Sequence, residues 1–584
     1  MTIYRNLLAR GYFPKELPPS FFTEQFAQYA TSKRGRLVIN SYKPSDNFTE
    51  CFAFRLALPN LQRRHLHTPH PYSFAVIAQL TAKHFRRLLK KAAASPFSKS
   101  RPIYKTGRHR ALHTMMNPAN LARERAALRG GASFLVKLDV SQFYPSLYTH
   151  AVGWAIDPKL RKRAHWGSRN LLGKALDQNL MNLQGKISQG VPIGNDVSFL
   201  LTEIVLAQID RKLRVAPSRA YRWIDDYEIA CDSREEAEEI MARLNLELGA
   251  FRLRVNPIKT RIVPLPIPSQ QEWQQILREQ SEANFNIAQN MVQYFDTAFR
   301  LRDKYPESPV LLYALGILFK LRCPNASAGE VALSAITQTL LAEPGASQKA
   351  FSLLTYWKLN GFSIDADLIA QTVEQMILRH RNLGVSSDIS WALAFCIENQ
   401  IVLGKRAGKT LSDFEDDCVG IQTLHAQSLG LLPKGFTTRR LSRLLKDVDL
   451  EGEHWLLGYE AFRQGFLNDS EPAVKANPLF TDLYNSKVTF YRRQLPAYAN
   501  IIHPGGAPEW VVASWIRFLQ LKRIAREAQT EFETRPLPII ELIKKDFEQV
   551  PEKEVSVDDA ISELLDLFEP KVSEFIPEIE PYVG

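Results

Sequence analysis

The sequence predicts an α+β domain followed by a long all-helical region. FLVKLDV (134–140) is a short apolar, β-branched run typical of a buried strand, and YRWIDDYEIACD (221–232) has the pattern of two strands that meet at a turn. Helical segments between and after them indicate a sheet with helices on one face. Beyond it LLYALGILFKL, AFSLLTYWKLNG and ISWALAFCIEN recur at intervals of roughly forty residues, which predicts HEAT-like repeats.

Length, charge and cysteine content narrow the class of protein. A chain of 584 residues is too long for one core, and 74 Lys and Arg against 62 Asp and Glu favour a surface that binds a polyanion. The segment 541–584 is acidic, so the excess of basic residues lies before it. The five cysteines are too far apart for a zinc ribbon or a disulfide framework, and neither a signal peptide nor a membrane-spanning run is apparent. These features predict a cytoplasmic protein that does not insert into a membrane.

Residues 1–130 form the first predicted unit. The segment 51–71 has the pattern of one or two short strands before a turn, and 72–94 has helical spacing with a basic last turn. A loop rich in positive charge, SPFSKSRPIYKTGRHRAL (95–112), precedes the strand 134–140.

Residues 131–264 hold the predicted sheet. The segment 148–184 is helical with a glycine-containing break, and QGVPIGNDVSFLLTEIVLAQIDRKL (189–213) is a turn followed by a strongly amphipathic helix. SREEAEEIMARLNLELGAF (233–251) predicts a helix with a charged face, and LRVNPIKTRIVPL (253–265) predicts a strand pair.

Three further units complete the predicted organisation. The proline-rich start of 265–290 favours a linker, 291–545 is the helical-repeat domain, and 546–584 is an acidic tail with at most one amphipathic helix.

Three aspartates fall where strands end or turn. Asp139 lies near the end of the first strand, and Asp225 and Asp226 lie at the tip of the predicted hairpin. If these strands are neighbours, the three carboxylates converge at one edge of the sheet. Each aspartate alone is explained as well by a turn or capping role. Together they predict a site for two divalent cations, because such ions prefer carboxylate oxygens held on rigid backbone.

Four segments resemble the palm motifs of reverse transcriptases. KLDVSQFYPSLYTH resembles motif A, SQGVPIGNDVSFLLTEI motif B, YRWIDDYEIA motif C and VNPIKTRIV motif D, in the same order and at similar spacing. The resemblance covers roughly residues 4–264. It implies a fingers-palm fold and a nucleotidyltransferase, that is an RNA-directed DNA polymerase or a DNA polymerase.

The sequence resembles more closely the prokaryotic antiphage reverse transcriptases, which comprise the abortive-infection (AbiK-like) and the defence-associated, unknown-group enzymes. The resemblance depends on GYFPKELPP, RRHLHTPHPYSF, FYPSLYTH and QGVPIG, and that group carries a helical, HEAT-like C-terminal half. Two positions depart from the wider family. Trp223 replaces the usual Tyr before x-D-D, a position that affects placement of the primer end. Motif B lacks its usual Ser-Pro, which affects template handling.

The resemblance assigns catalytic roles to four residues. It implies that Asp139 and Asp225 bind two Mg²⁺ ions, with Mn²⁺ as a substitute, and that Asp226 supports this metal site. Lys259 of motif D is expected to neutralise or protonate the leaving pyrophosphate. The alternative for Lys259 is an ordinary solvated lysine.

The same resemblance assigns nucleotide binding to six residues. Tyr144 stands where the family has an aromatic gate against a ribose 2′-OH, so deoxynucleotides are the expected substrates; a core aromatic is the alternative. Gln189 and Gly190 begin motif B, where the backbone approaches the nucleotide, and a plain loop-to-helix turn competes with that role. The basic loop is expected to grip the triphosphate or to form a general nucleic-acid-facing patch. Its candidate residues are Lys105, Arg108 and Arg110.

The implied function is antiphage defence by DNA synthesis. AbiK-like enzymes make DNA without an added template and prime it from a protein tyrosine, whereas others in the group copy a partner noncoding RNA, and the sequence leaves both routes open. Candidate priming residues are Tyr4, Tyr12, Tyr29 and Tyr42. Expected partners are dNTPs, a DNA product that is covalently attached in the protein-primed case, a noncoding RNA in the templated case, and further copies of the chain.

Two other functions remain open from the sequence. A retron- or intron-type, RNA-templated reverse transcriptase would carry a thumb that grips duplex, whereas a long helical stretch follows the palm here. A catalytically inert helical scaffold that binds nucleic acid would not need to keep three mutually repelling aspartates.

Overall fold

The computed structural model covers most of the chain. It describes residues 2–43, 48–58, 63–104, 110–116, 120–165, 167, 171–381 and 384–494. The predicted acidic tail 546–584 and the end of the predicted helical domain lie outside the described residues. Of the helices in the described stretches, none is long and apolar enough to cross a membrane.

Short helices and two β-hairpins form the N-terminal part. In chain order these are α1 (Ile3–Arg10), α2 (Glu24–Thr31), α3 (Lys33–Ser41), β1 (Cys51–Ala57), β2 (Arg63–Pro69), α4 (Pro71–Lys83), α5 (Phe85–Ala92), β3 (Pro102–Tyr104), β4 (Leu112–Thr114) and α6 (Leu121–Arg129). The antiparallel pair β1 and β2 confirms the strand prediction for 51–71. The single helix predicted over 72–94 is two helices, because the backbone leaves the helical conformation at His84.

Four antiparallel strands form the central sheet. They are β5 (Phe134–Asp139), β6 (Ala220–Trp223), β7 (Asp226–Cys231) and β8 (Arg261–Pro264), in the spatial order β6-β7-β5-β8. Between and after them lie α7 (Phe143–Ser146), α8 (Thr149–Ile156), α9 (Leu172–Asn182), α10 (Asp196–Asp210) and α11 (Arg234–Gly249). The predicted strand at 134–140, the predicted hairpin at 221–232 and the α+β fold class are confirmed.

The strand pair predicted over 253–265 is half wrong. Only β8 is a strand there, while Val255 forms a single bridge with Val140. The chain turns after Val255, and Thr260 N donates to Asn256 O at 3.0 Å. The backbone here forms a turn instead of hydrogen-bonding to a neighbouring strand.

Helix α10 is buried on nearly every face. It begins at the Asn195 cap, which accepts a hydrogen bond from Ser198 N, and among its residues only Phe199 and Gln208 are not buried. The prediction of a strongly amphipathic helix is therefore wrong. Burial is tolerated because three acidic residues of the helix pair with arginines. These residues are Asp196, Glu203 and Asp210.

The described chain beyond the sheet is helical, as predicted. It comprises α12 (Glu272–Gln280), α13 (Ala288–Lys304), α14 (Val310–Ile317), α15 (Ala326–Ala342), α16 (Ser347–Leu359), α17 (Ala366–Arg381), α18 (Ser387–Asn399), α19 (Lys405–Ser412), α20 (Asp417–Ser428), α21 (Arg439–Lys446), α22 (Trp455–Arg463), α23 (Glu471–Ala476) and α24 (Pro478–Asn485). From α13 to α20, alternate helices pack on one another. Their assignment to HEAT-like repeats stays a prediction.

The segment predicted as a linker, 265–290, contains helix α12. Its Trp273 and Leu277 are fully buried, so this helix belongs to the packed helical region. The domain boundaries themselves stay predictions.

Two large hydrophobic cores and one small cluster, around Leu135 and Tyr221 of the sheet, organise the described chain. The first core joins the N-terminal part, the sheet helices and apolar residues from Cys418 to Tyr491, and the second core lies between Trp273 and Leu432. Backbone bonds fasten the C-terminal end onto the N-terminal part: Phe22 N donates to Phe490 O at 3.0 Å, and Arg492 N donates to Ser20 O at 2.8 Å. The last described helices therefore return to pack beside the first ones.

Candidate active site

Three aspartates meet at one end of the central sheet. In the pairing of β5 with β7, Asp139 lies directly opposite Asp226. Asp225 precedes Asp226 in the turn that joins β6 to β7. The structure thus brings together the carboxylates that the sequence predicted to converge.

The three carboxylates perturb one another. Burial and the negative charge of Asp139 raise the pKa of Asp225 to about 6. Burial of the carboxyl group and then the charges of Asp225 and Asp139 raise the pKa of Asp226 well above its usual value. Asp226 as a residue is exposed, so the negative charges beside it contribute more to this rise in pKa than its burial does. The positive charges of Arg64 and Lys259 partly offset the rise in the pKa of Asp225. Positive charge near the three aspartates therefore favours their ionised form.

The donor groups fit a magnesium ion. Asp139 Oδ1 is buried and accepts no hydrogen bond in the described structure, although Lys259 Nζ lies 3.8 Å away. The three aspartates are neighbours, but among the described residues no group of three His, Cys, Asp or Glu side chains is arranged to hold a metal ion by itself. Mg²⁺ does not need one, because it is usually held by one or two carboxylates together with water and substrate phosphates.

Asn256 holds the first aspartate in place. Its amide Nδ2 donates to Asp139 Oδ2 at 3.0 Å, and its backbone N donates to Asp139 O at 2.8 Å. The side-chain oxygen of Asn256 also accepts from Ile258 N at 3.1 Å, which shapes the loop that carries Lys259. Sequence reasoning missed this residue. The available signal was the Asn-Pro pair, which is typical of a turn.

The loops of motifs A and B lie side by side. Gly190 N donates to Leu147 O at 2.9 Å, and Val191 N donates to Tyr144 O at 3.0 Å. The backbone of Gly190 has φ +87°, and a Cβ there would lie 3.3 Å from Pro145 O, so glycine is favoured for both conformation and space.

The predicted nucleotide-binding residues of these two loops therefore come together. Tyr144 is partly buried, with Thr202 Oγ1 3.5 Å from its hydroxyl, while Gln189 is exposed and forms a bridge with Tyr148.

Arg110 does not reach outward as predicted. Its Nε donates to Asp196 Oδ1 at 3.0 Å and its Nη1 to Phe13 O at 2.6 Å, and Nη2 also bonds Asp196. A buried carboxylate at the start of α10 requires such a partner, so the position of Arg110 does not support a triphosphate contact. The other two candidates of the basic loop, Lys105 and Arg108, lie outside the described residues. Arg64 of β2 is a described cation whose charge, like that of Lys259, reaches Asp225.

The four candidate priming tyrosines are built into the protein interior. Tyr12 is fully buried and donates to Pro69 O, and Tyr29 bonds both Tyr72 and Asp482. The remaining two are also enclosed. Tyr42 bonds Ser73, and the hydroxyl of Tyr4 is buried. Burial raises the pKa of each of the four hydroxyls, so this conformation does not support any of them as a primer.

An antiparallel sheet that carries paired carboxylates at the junction of two strands, with a lysine beside them, is an arrangement for phosphoryl transfer. A model of the reverse transcriptase (RNA-dependent DNA polymerase) family matches residues 72–294, which include all three aspartates. Residues 72–294 therefore match a reverse transcriptase domain, and members of that family are nucleotidyltransferases of the RNA-directed DNA polymerase class.

Solved structures with partial similarity include telomerases. Apo telomerase from Candida tropicalis, truncated from its C-terminal domain, is 14% identical, with 43% of this chain and 57% of that chain covered and a TM-score of 0.28. A second apo telomerase structure from Candida tropicalis is 11% identical, covers 66% of this chain and 71% of that chain, and has a TM-score of 0.29. Telomerase from Candida albicans in complex with a TWJ fragment of telomeric RNA is 12% identical, with 68% of this chain and 70% of that chain covered and a TM-score of 0.26.

This similarity is too low to support an inference about substrates, partners or mechanism. The chain spans little more than half the length of the first of those structures. No curated protein sequence matches the chain.

Proposed function

We propose that the chain polymerises deoxynucleotides at the three-aspartate cluster by two-metal catalysis and that this synthesis serves defence against phage. The observation that carries the catalytic part is the pairing of Asp139 with Asp226 beside Asp225, with Lys259 Nζ 3.8 Å from Asp139. The defence part is supported by the motifs that resemble the antiphage reverse transcriptases.

The proposed reaction is transfer of a nucleotidyl group. A primer hydroxyl oxygen forms a bond to the α-phosphorus of a dNTP, the bond from that phosphorus to the pyrophosphate oxygen breaks, and pyrophosphate leaves. Bound Mg²⁺, or Mn²⁺ in its place, would neutralise the phosphates and acidify the attacking hydroxyl. Asp139 and Asp225 are the proposed ligands, with Asp226 in support.

Neighbouring residues have proposed roles toward the nucleotide. Lys259 supplies a proton or positive charge to the leaving pyrophosphate. Tyr144 excludes a ribose 2′-OH, and Gly190, with Gln189 beside it, lets the backbone approach the base and sugar. Arg64 is the best-supported described candidate for a phosphate contact, because its charge reaches Asp225.

The source of primer and template remains a choice between two proposals, a protein-primed, untemplated synthesis and the copying of a partner noncoding RNA. Burial of the four N-terminal tyrosines favours a primer other than these residues. Further copies of the chain are proposed partners, and light scattering of the purified protein would measure the stoichiometry.

The test is synthesis by purified full-length protein with Mg²⁺ and labelled dNTPs, with no nucleic acid, with RNA, or with a primed RNA template. Asp225→Asn is the matched variant, because it preserves shape and removes the charge. We expect product from the wild type alone, which would shift with the protein on a denaturing gel if priming is from the chain. Product only with RNA would favour the templated route. No product under any condition would contradict the catalytic proposal and favour an inert scaffold.

Defence is tested separately. Bacteria that express the wild type should plate phage less efficiently than bacteria that express Asp225→Asn at the same protein level. Equal plating across a broad phage panel would contradict the defence proposal and leave the polymerase proposal standing.

A further inference from the structure

The turn that carries the aspartate pair contains a residue in an unfavourable conformation. Ile224, directly before Asp225, has φ +52°, in the left-handed region that β-branched residues rarely adopt. Such a conformation is strained and persists only where the surrounding structure enforces it. The turn therefore requires partners that hold its backbone.

Two buried side chains bond the backbone of Ile224 from both sides. Arg222 Nη1 donates to Ile224 O at 2.6 Å, and Ile224 N donates to Ser100 Oγ at 2.7 Å. Both backbone polar groups of the strained residue are thus fixed by side chains. One partner comes from β6, directly before the turn, and the other from a segment more than a hundred residues earlier in the chain.

Arg222 is itself held rigidly. It is fully buried, and its guanidinium donates to Asp210 Oδ2 at 2.8 Å and to Glu203 Oε1 at 3.0 Å. Glu203 and Asp210 lie on one face of α10, two turns apart. The carboxylates have further donors, since Ser100 Oγ donates to Glu203 Oε1 at 2.9 Å and Tyr227 OH donates to Asp210 Oδ1 at 2.9 Å.

Stability alone is a weak explanation of this network. A buried ion pair often contributes no more to folding than apolar side chains of the same volume would, because desolvation offsets the attraction. The groups here also carry two negative charges against one positive charge, which apolar packing would avoid. The arrangement does supply a planar fork of donors in a fixed orientation, which a lysine cannot reproduce.

We propose that Arg222 is a positioning residue that, with Ser100, fixes the turn at Ile224 so that Asp225 is presented to the metal site. The network couples α10, which follows the motif B loop, to the aspartate turn. The inference rests on the proposed function for its catalytic consequence. The anchoring of the turn itself is measurable without catalysis.

Three variants of the full-length chain test the proposal. Arg222→Lys keeps the buried positive charge but loses the fork, and Ser100→Ala removes one small hydroxyl with little risk to folding. Arg129→Lys is the matched control, because Arg129 is nearly buried and its Nη2 donates to Glu228 Oε2 at 2.9 Å on the neighbouring strand. Thermal melting of all three variants reports whether the fold is kept.

Three measurements separate positioning from general destabilisation. Hydrogen exchange followed by mass spectrometry reads the peptide that contains residues 221–228, and electron paramagnetic resonance reads binding of Mn²⁺. Steady-state kinetics reads kcat, the KM for dNTP and the Mg²⁺ concentration at half-maximal rate. Loss of a residue that orients a metal ligand typically lowers metal affinity or activity by about 10- to 100-fold.

For Arg222→Lys we expect faster exchange in the 221–228 peptide, weaker Mn²⁺ binding and a lower kcat with little change in the KM for dNTP. For Ser100→Ala we expect the same changes to a smaller degree. Arg129→Lys should melt lower without these changes. If Arg222→Lys and Ser100→Ala exchange at 221–228 no faster than Arg129→Lys, the proposal is overturned whether or not the wild type is active. Faster exchange with an inactive, metal-free wild type would keep the anchoring and refute the proposed function instead.

Discussion

A pH-dependent contact in the C-terminal helices gives a quantitative prediction. His454 precedes α22, and its Nδ1 lies 2.7 Å from Asp417 Oδ1 at the start of α20. Burial lowers the pKa of His454, but the hydrogen bond and charge of Asp417 outweigh it and raise the pKa from 6.5 to about 9. The charged form is thus favoured in the folded state. The resulting stability is complete below pH 6.5 and is lost as the pH rises through 9.

The size of the effect follows from the shift. Each pKa unit is worth about 1.4 kcal/mol, so the ion pair contributes roughly 3 kcal/mol near neutral pH and little above about pH 10. A cooperative unit of roughly 300 residues has an unfolding entropy near 0.6 kcal/mol/K, so this loss corresponds to a fall in Tm of about 5 °C. Asp417 also accepts a hydrogen bond from Leu457 N at 3.0 Å, so its own replacement would disturb more than the ion pair.

The assay compares the wild type with His454→Gln by thermal melting between about pH 7 and pH 10. Burial raises the pKa of Glu343 and of Glu460 from 4.5 to about 7. The effect of their titration on stability therefore lies mainly below pH 7, outside this window. The wild type should lose about 5 °C more than His454→Gln across the window. Equal losses in the two proteins would refute the assignment of this ion pair as the cause.

Three further predictions concern the site and its supports. Asn256→Ala should lower kcat by about 10- to 100-fold with an unchanged melting profile, because Asp139 loses its amide partner; an unchanged rate constant in single-turnover assays would contradict this role. Arg110→Met should lower the unfolding free energy by about 3–5 kcal/mol, because Asp196 is left charged and buried, and denaturant titration would measure it. If instead only the dNTP KM rises, Arg110 binds nucleotide as the sequence suggested. Gly190→Ala should raise the dNTP KM and cost about 1–2 kcal/mol of stability, because alanine is strained at φ +87°; unchanged values would exclude a tight approach at this loop.

Sequence patterns were informative where the cause is local. The strand that ends at Asp139 and the hairpin around Asp225 follow from β-branched runs and from turn residues within a few positions, and the structure confirms both. The motif order also pointed to the reverse transcriptase domain, which the family match at 72–294 supports.

The supports of the site depend on partners that are distant in the chain. Arg110 and Asp196 are 86 residues apart, and Asn256 and Asp139 are 117 apart. A basic residue in a loop has the same local pattern whether it faces solvent or a buried carboxylate, so Arg110 was assigned to the nucleotide. Helix α10 differs from the predicted amphipathic helix for the same reason, because the arginine partners that allow its acidic residues to be buried are distant in the chain or outside the helix.

The helical region packs against and bonds to the N-terminal part of the chain. Arg55 N and Ala57 N, in the strand that pairs with β2, donate to Ser386 Oγ at 2.8 Å and Ser387 Oγ at 3.1 Å, at the start of α18. β2 in turn carries Arg64, whose charge reaches Asp225. Because helices α20 to α24 also share the first core with the N-terminal part, a chain cut after residue 264 would expose apolar surface that the intact protein buries. Arg64, whose charge reaches Asp225, is thus carried by a hairpin whose other strand is bonded to the helical region through Ser386 and Ser387.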